Sequence, residues 1–136
     1  MGRQDAEHAK TDAKEPSLEL DRLAHTVIGA AIEVHRNLGP GFLEAIYEAA
    51  LVLELEARNV RFRRQVPIEV IYKGSVIGES RLDLLVEDEL VVELKHVESL
   101  LPIHRAQVIS YLRAGAFQLG LLINFNVPIL RDVSAE

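Results

Sequence analysis

The sequence predicts an α/β (α+β) fold, a mixed β-sheet with helices packed on it, and three observations lead there. The hydrophobic period is helical up to about residue 58 and alternates beyond it. Three strand-like segments then follow one another closely enough to form an antiparallel meander. A further helix and one more apolar strand come after them, so the sheet is mixed. The predicted order is α-α-β-β-β-α-β.

Ser17 is a good N-cap, and Leu20, Leu23, Val27, Ala30, Ala31, Val34 and Leu38 follow it at helical spacing. Gly39 and Pro40 stop that helix, the first by taking a left-handed C-cap and the second because it cannot continue the ladder. A second helix is expected from about Phe42 to Arg58, rich in Ala, Leu and Glu, with Asn59 ending it. Val66–Tyr72 reads as a strand with Pro67 near its start, Lys73-Gly74-Ser75 as a turn, and Val76–Val86 as a second strand in which Gly78 marks a bulge. Glu87-Asp88-Glu89 makes a polar turn into a third strand, Leu90–Lys95, whose apolar character makes it central. Pro102–Ala116 is expected to be helical and Leu119–Phe125 a last, buried strand.

The chain has 136 residues, enough for one domain that buries roughly two-thirds of its unfolded surface. Residues 1–17 hold no Val, Ile, Leu or Phe and read as a disordered tail, leaving a single domain over 18–132. There is no cysteine, which excludes a disulfide framework, a thiolate nucleophile and a cysteine zinc site. No apolar run approaches the ~18 residues of a membrane span, and no signal-peptide core is present. The expectation is a cytoplasmic protein without membrane contact. The net charge of −6 argues against a protein that coats nucleic acid generally. Yet Arg58, Arg61, Arg63, Arg64, Lys73 and Arg81 face only Glu69 and Glu79 in their window, which is +4 and leaves −10 elsewhere. Such asymmetry fits either an anionic partner on one side or a solvated face.

The third strand carries charges where burial is expected. Alternation in Leu90–Lys95 places Val91, Glu93 and Lys95 on one face. If residues 87–89 form a three-residue loop, pairing is symmetric about Asp88 and Asp83 stands opposite Glu93. Directly opposed side chains lie about 4.5–5.5 Å apart, so one carboxylate protonates or a cation sits between them. Lys95 offers one positive charge; a divalent ion offers two, and hard oxygen donors select Mg2+, Mn2+ or Ca2+. A metal held there would acidify a bound water and neutralise charge on a phosphate, with Lys95 orienting that water. A one-residue slip of register would separate the two carboxylates.

The spacing Asp83…Glu93-x-Lys95 resembles that of the PD-(D/E)XK phosphodiesterase superfamily, and residues 42–125 are similar to its core order α-β-β-β-α-β. The Pro that usually precedes the Asp is replaced by Leu82. Gly41, Glu44 and Tyr47, within Val34–Tyr47, closely resemble the signature of the bacterial GxxExxY proteins, a likeness that covers about residues 18–132. Gln107 and Tyr111 are similar to the Q-x-x-x-Y of the superfamily's exonuclease branch, where that helix contacts the active site or the nucleic acid.

The resemblance implies a restriction-endonuclease-like fold and a Mg2+-dependent (or Mn2+-dependent) nuclease. Its ligands would be Asp83 and Glu93 with Glu44 as a third; Lys95, Glu93, Asp83 and Glu44 would form the catalytic set, and Gln107 and Tyr111 would line the site. Arg61, Arg63, Arg64 and Arg81 would neutralise backbone phosphates of DNA or RNA. From the residues alone, Glu44 reads equally as a first-turn acid favoured by the helix dipole or as a ligand, and Gln107 and Tyr111 as a polar edge and a core aromatic. His35 reads as a helix-end cap, His96 and His104 as surface or supporting residues, and none of them forms a zinc motif. A second reading is a catalytically inactive module of the same fold that binds nucleic acid or protein. Small size leaves room for a homodimer that completes the substrate surface.

Overall fold

The computed structural model describes residues 6–10 and 16–131. Within them the order is β1 (Ala6–Lys10), α1 (Leu18–Leu38), α2 (Glu44–Ala57), β2 (Phe62–Tyr72), β3 (Ser75–Val86), β4 (Leu90–Lys95), α3 (Pro102–Gly115) and β5 (Leu119–Asn124). The predicted α-α-β-β-β-α-β order is present with one strand added in front. Residues 6–10, expected to be tail, pair antiparallel with β5, and Arg105 of α3 holds Glu7 at 3.1 Å. Ala6 and Ala9 are small enough to lie buried at that edge, which hydropathy alone does not register. The rest of the expected tail, apart from Pro16 and Ser17, lies outside the described residues.

The five strands lie in the order β1-β5-β4-β3-β2, with β4 and β5 parallel and the other pairs antiparallel. The sheet is therefore mixed, with β4 at its centre. α1 and α2 bury Ala24, Val27, Ile28, Tyr47, Leu51 and Leu55 against Leu84, Val92, Leu121 and Phe125 on one face. α3 buries Val108 and Leu112 against Leu85, Val91 and Leu122 on the other. Gly120 makes the second contact close: a Cβ there would stand 2.8 Å from Val108 Cγ1.

The element ends follow local chemistry. Ser17 Oγ accepts from Leu20 N–H and opens α1, and Gly39 closes it at φ 68°. Asn59 takes φ 58° just after α2, and Ala116 caps α3 at φ 60°. His104 also has a capping role, accepting from Leu101 N–H through Nδ1 at 2.9 Å. β2 begins four residues before its predicted start, so Pro67 lies mid-strand; this is tolerated because β2 is an edge strand whose other side needs no ladder donor. The β2–β3 register shifts between Val70 and Ile71, opposite Gly78, where the bulge was expected.

One further irregularity matters more. The β2–β3 ladder is interrupted at Gln65 and Asp83, between the pairs Arg64↔Leu84 and Val66↔Leu82. Gln65 sits at φ 51°, a left-handed conformation uncommon for a residue with a side chain. The alternation resets across it. Leu82 packs in the α3 core and Leu84 in the α1/α2 core, although residues two apart on a regular strand share a face.

Candidate active site

β3 and β4 pair at Val86↔Leu90, Leu85↔Val91 and Leu84↔Val92, the register expected of a loop centred on Asp88. Glu87 and Asp88 both take positive φ to close that loop. The ladder ends at Leu84 and Val92, and the next two residues, Asp83 and Glu93, continue the contact through their side chains. Asp83 N–H donates to Glu93 Oε2 at 2.9 Å, and Leu94 N–H donates to Asp83 Oδ2 at 2.8 Å. Each carboxylate thus spends one oxygen on a backbone donor. The other oxygen of each makes no hydrogen bond among the described residues.

Glu93 is buried and Asp83 half-buried. Burial is the main force on both, raising each carboxyl above its ordinary range. The charge of Asp83 adds to the effect on Glu93, which is pushed up to about 8. Asp83 also feels the charges of Glu48 and Glu44 in α2. Lys95 opposes these shifts from the end of β4. Its Nζ donates to Gln107 Oε1 in α3 at 2.9 Å, and Tyr111 lies one turn further along the same helix. Burial, then the charges of Glu93 and Asp83, raise the Tyr111 phenol. Asp83, Glu93, Lys95, Gln107 and Tyr111 therefore meet at one place, where β3 and β4 part beneath α3.

Other expected site residues lie differently. Glu44 opens α2 and is exposed, and its charge reaches the site. Among the described residues, no three His, Cys, Asp or Glu side chains stand close enough to hold one ion, so the set Asp83, Glu93 and Glu44 is not assembled. The buried acid of α2 is Glu48, one turn later, which the sequence reading passed over. The available signal was its place beside Tyr47, Leu51 and Leu55 in the same apolar stripe.

The expected basic strip is largely neutralised. Arg61 pairs with Glu87, Arg63 with Asp88 and Arg64 with Glu48. Arg61 and Arg63 line a depression of about 610 Å3 at the β3–β4 turn, which contains none of the converging residues. Arg81 is exposed, two residues from Asp83, and makes no ion pair among the described residues.

Gly41 and Tyr47 have structural work. Gly41 adopts φ 114° in the loop between α1 and α2. Tyr47 is fully buried, stacks on Phe125 at 4.4 Å, and ties that loop by donating to Gly39 O at 2.6 Å and accepting from Phe42 N–H. His35 lies in the last turn of α1 as expected, and it is buried there with Nε2 2.7 Å from Val127 O. His96 lies against Tyr47, on the side away from Lys95, and its Nε2 is buried without a hydrogen-bond partner among the described residues. Asn124 was also missed. It is buried and clamps the segment after Lys95, accepting from Val97 N–H and donating to Val97 O. A polar residue closing an otherwise apolar strand was its signal.

One buried and one half-buried carboxylate with raised pKa, each with an oxygen to spare and Lys95 nearby, are donors of the kind that a hard divalent cation takes. No curated protein and no solved structure matches the chain, but a family model described as the PD-(D/E)XK nuclease superfamily matches residues 21–134. No helix among the described residues is long and apolar enough to cross a membrane. That match covers most of the chain, including the crossing of Asp83 and Glu93, and the protein belongs to the PD-(D/E)XK nuclease superfamily.

Proposed function

We propose that this protein is a metal-dependent nuclease that hydrolyses phosphodiester bonds of nucleic acid. The observation that carries the reading is the crossed pair at the end of the β3–β4 ladder, where Asp83 and Glu93 converge with Lys95 alongside. Asp83 and Glu93 would hold Mg2+ or Mn2+ through the oxygens left free by the backbone. A bound ion supplies acidification of a water and neutralisation of charge on the scissile phosphate.

The protein's own residues do the rest. Lys95 orients the attacking water or steadies a phosphoryl oxygen through Nζ, and Gln107 fixes that Nζ in place. Tyr111, one turn beyond Gln107 in α3, would form a wall of the site. Glu44 adds negative charge from the first turn of α2, which strengthens cation binding at the pair. Arg81, exposed and without an ion-pair partner among the described residues, would meet a backbone phosphate. Gly41, Glu44 and Tyr47 support a finer placement among the GxxExxY proteins, since the glycine and the tyrosine together fix the loop that opens α2.

The test is cleavage of single- and double-stranded DNA and RNA with Mg2+ or Mn2+, comparing the wild type with Asp83→Asn and Lys95→Ala. Loss of cleavage in both variants is expected, and activity indifferent to both would remove the assignment.

One observation favours a second reading, a non-cleaving module of the same fold. Arg61, Arg63 and Arg64 are committed to acidic partners, so little free positive surface remains to grip a polyanion. A calorimetric Mg2+ titration separates the two, because the absence of binding at millimolar metal favours the module.

A further inference from the structure

Glu48 is the buried acid that the proposed chemistry does not use. Its Oε2 accepts from Arg64 Nε and its Oε1 from Gln65 Nε2, both at 2.9 Å. Side chains of consecutive strand residues ordinarily point to opposite faces, so both reach one carboxylate only because the strand is irregular there. Gln65 supplies the irregularity with its φ of 51°. Such backbone persists when the surroundings over-determine it. By register Gln65 stands opposite Asp83, at the interruption where Leu82 and Leu84 part to different cores.

We infer that Glu48 is a positioning residue for the active site: it pins the left-handed turn of β2 at Gln65, and this sets the place where Asp83 leaves the ladder to meet Glu93. Without the pin, β2 relaxes towards regular pairing through Gln65 and Asp83. The Asp83 carboxylate then loses its line to Leu94 N–H. Glu48 holds β2 and touches no reacting group, so it acts through Asp83. The inference rests on the nuclease reading only for its activity measurement.

Hydrogen exchange tests it without any assumption about cleavage. Glu48→Ala is expected to speed exchange of the Asp83 and Leu94 amides by at least about 10-fold, while the amides of Val91, Val92 and α1 keep wild-type rates. The double variant Glu48→Gln/Gln65→Glu restores a carboxylate–amide bond with the partners exchanged, and should return both amides towards wild type. Should Glu48→Ala fail to fold, Gln65→Val serves instead, since a β-branched residue resists positive φ; the same local loosening is expected with Glu48 intact. Unchanged exchange at Asp83 and Leu94, or a uniform rise at every amide, overturns the inference.

In the cleavage assay, Glu48→Ala should raise the Mn2+ concentration for half-maximal rate by about 10-fold or more. The double variant should reverse that rise, and a rate loss with unchanged metal dependence counts against positioning. If the wild type cleaves nothing, the nuclease reading fails while the exchange measurement still decides the role of Glu48.

Discussion

Asp83 and Glu93 each occupy the place where the other's strand would have offered a backbone acceptor. The Asp83 N–H is capped by Glu93 Oε2, and the amide beside Glu93, Leu94 N–H, is capped by Asp83 Oδ2. The exchange keeps two strands joined after their ladder has stopped, at the cost of bringing two carboxylates together in a half-dry site.

That cost makes the pair a source of instability in metal-free protein. Glu93→Gln keeps an acceptor for Asp83 N–H and removes the buried charge. It should raise stability at pH 8 by about 1–2 kcal/mol in chelator-treated buffer while abolishing Mn2+ binding. Denaturant unfolding and calorimetry check the two halves, and a variant less stable than wild type would contradict the account.

The pH dependence follows from the same pair. Glu93 titrates near 8 in the folded protein against 4.5 for the free side chain, and Asp83 shifts in the same direction. A carboxyl raised on folding contributes stability that is complete below its unfolded pKa and is lost as pH rises through the folded value. Metal-free protein should therefore lose on the order of a few kcal/mol between about pH 5 and pH 9. Saturating Mg2+ should flatten that slope, since it favours the ionised pair. Proton release on Mn2+ binding at pH 7, measured by calorimetry in buffers of different ionisation enthalpy, gives the same linkage directly.

Gln107 accepts from Lys95 Nζ, so its removal should disorder the amine without touching the carboxylates. Gln107→Leu is expected to lower cleavage about 10–100-fold and leave Mn2+ affinity unchanged. An equal loss of metal affinity would mean that α3 supports the pair itself.

The arginines should divide into two groups. Arg81→Ala should reduce the salt dependence of nucleic-acid binding by about one unit of log–log slope. Arg61→Ala and Arg63→Ala should leave it unchanged, because Glu87 and Asp88 already neutralise those side chains. A filter-binding salt series distinguishes them.

That Asp83 stands opposite Glu93 was legible in the sequence because a strand period of two and a loop centred on Asp88 pair them, and the observed register is that one rather than the one-residue slip. The same reasoning did not reach Gln65. Nothing in Arg63-Arg64-Gln65-Val66 signals a left-handed residue, since that conformation is imposed by Glu48 from another element. The helix period placed Glu44 and Glu48 on the same stripe. Glu48 is the one met by Arg64 and Gln65 of β2, a tertiary fact that overrides local pattern. The arginine strip was visible as charge, but its neutralisation came from acids 16 to 26 positions away. β1 escaped notice because two buried alanines in a polar segment give almost no hydrophobic signal.

The antiparallel pairing of Ala6–Lys10 with Leu119–Asn124 has a practical consequence for recombinant work. A protein trimmed to begin at Pro16 would bare a row of peptide donors and acceptors along an apolar border. Such a border recruits any extended segment that comes near, including its own counterpart in a neighbouring molecule. Shortened versions should therefore precipitate or pair up even with Asp83, Glu93 and Lys95 undisturbed, and an affinity handle is better appended at the opposite terminus.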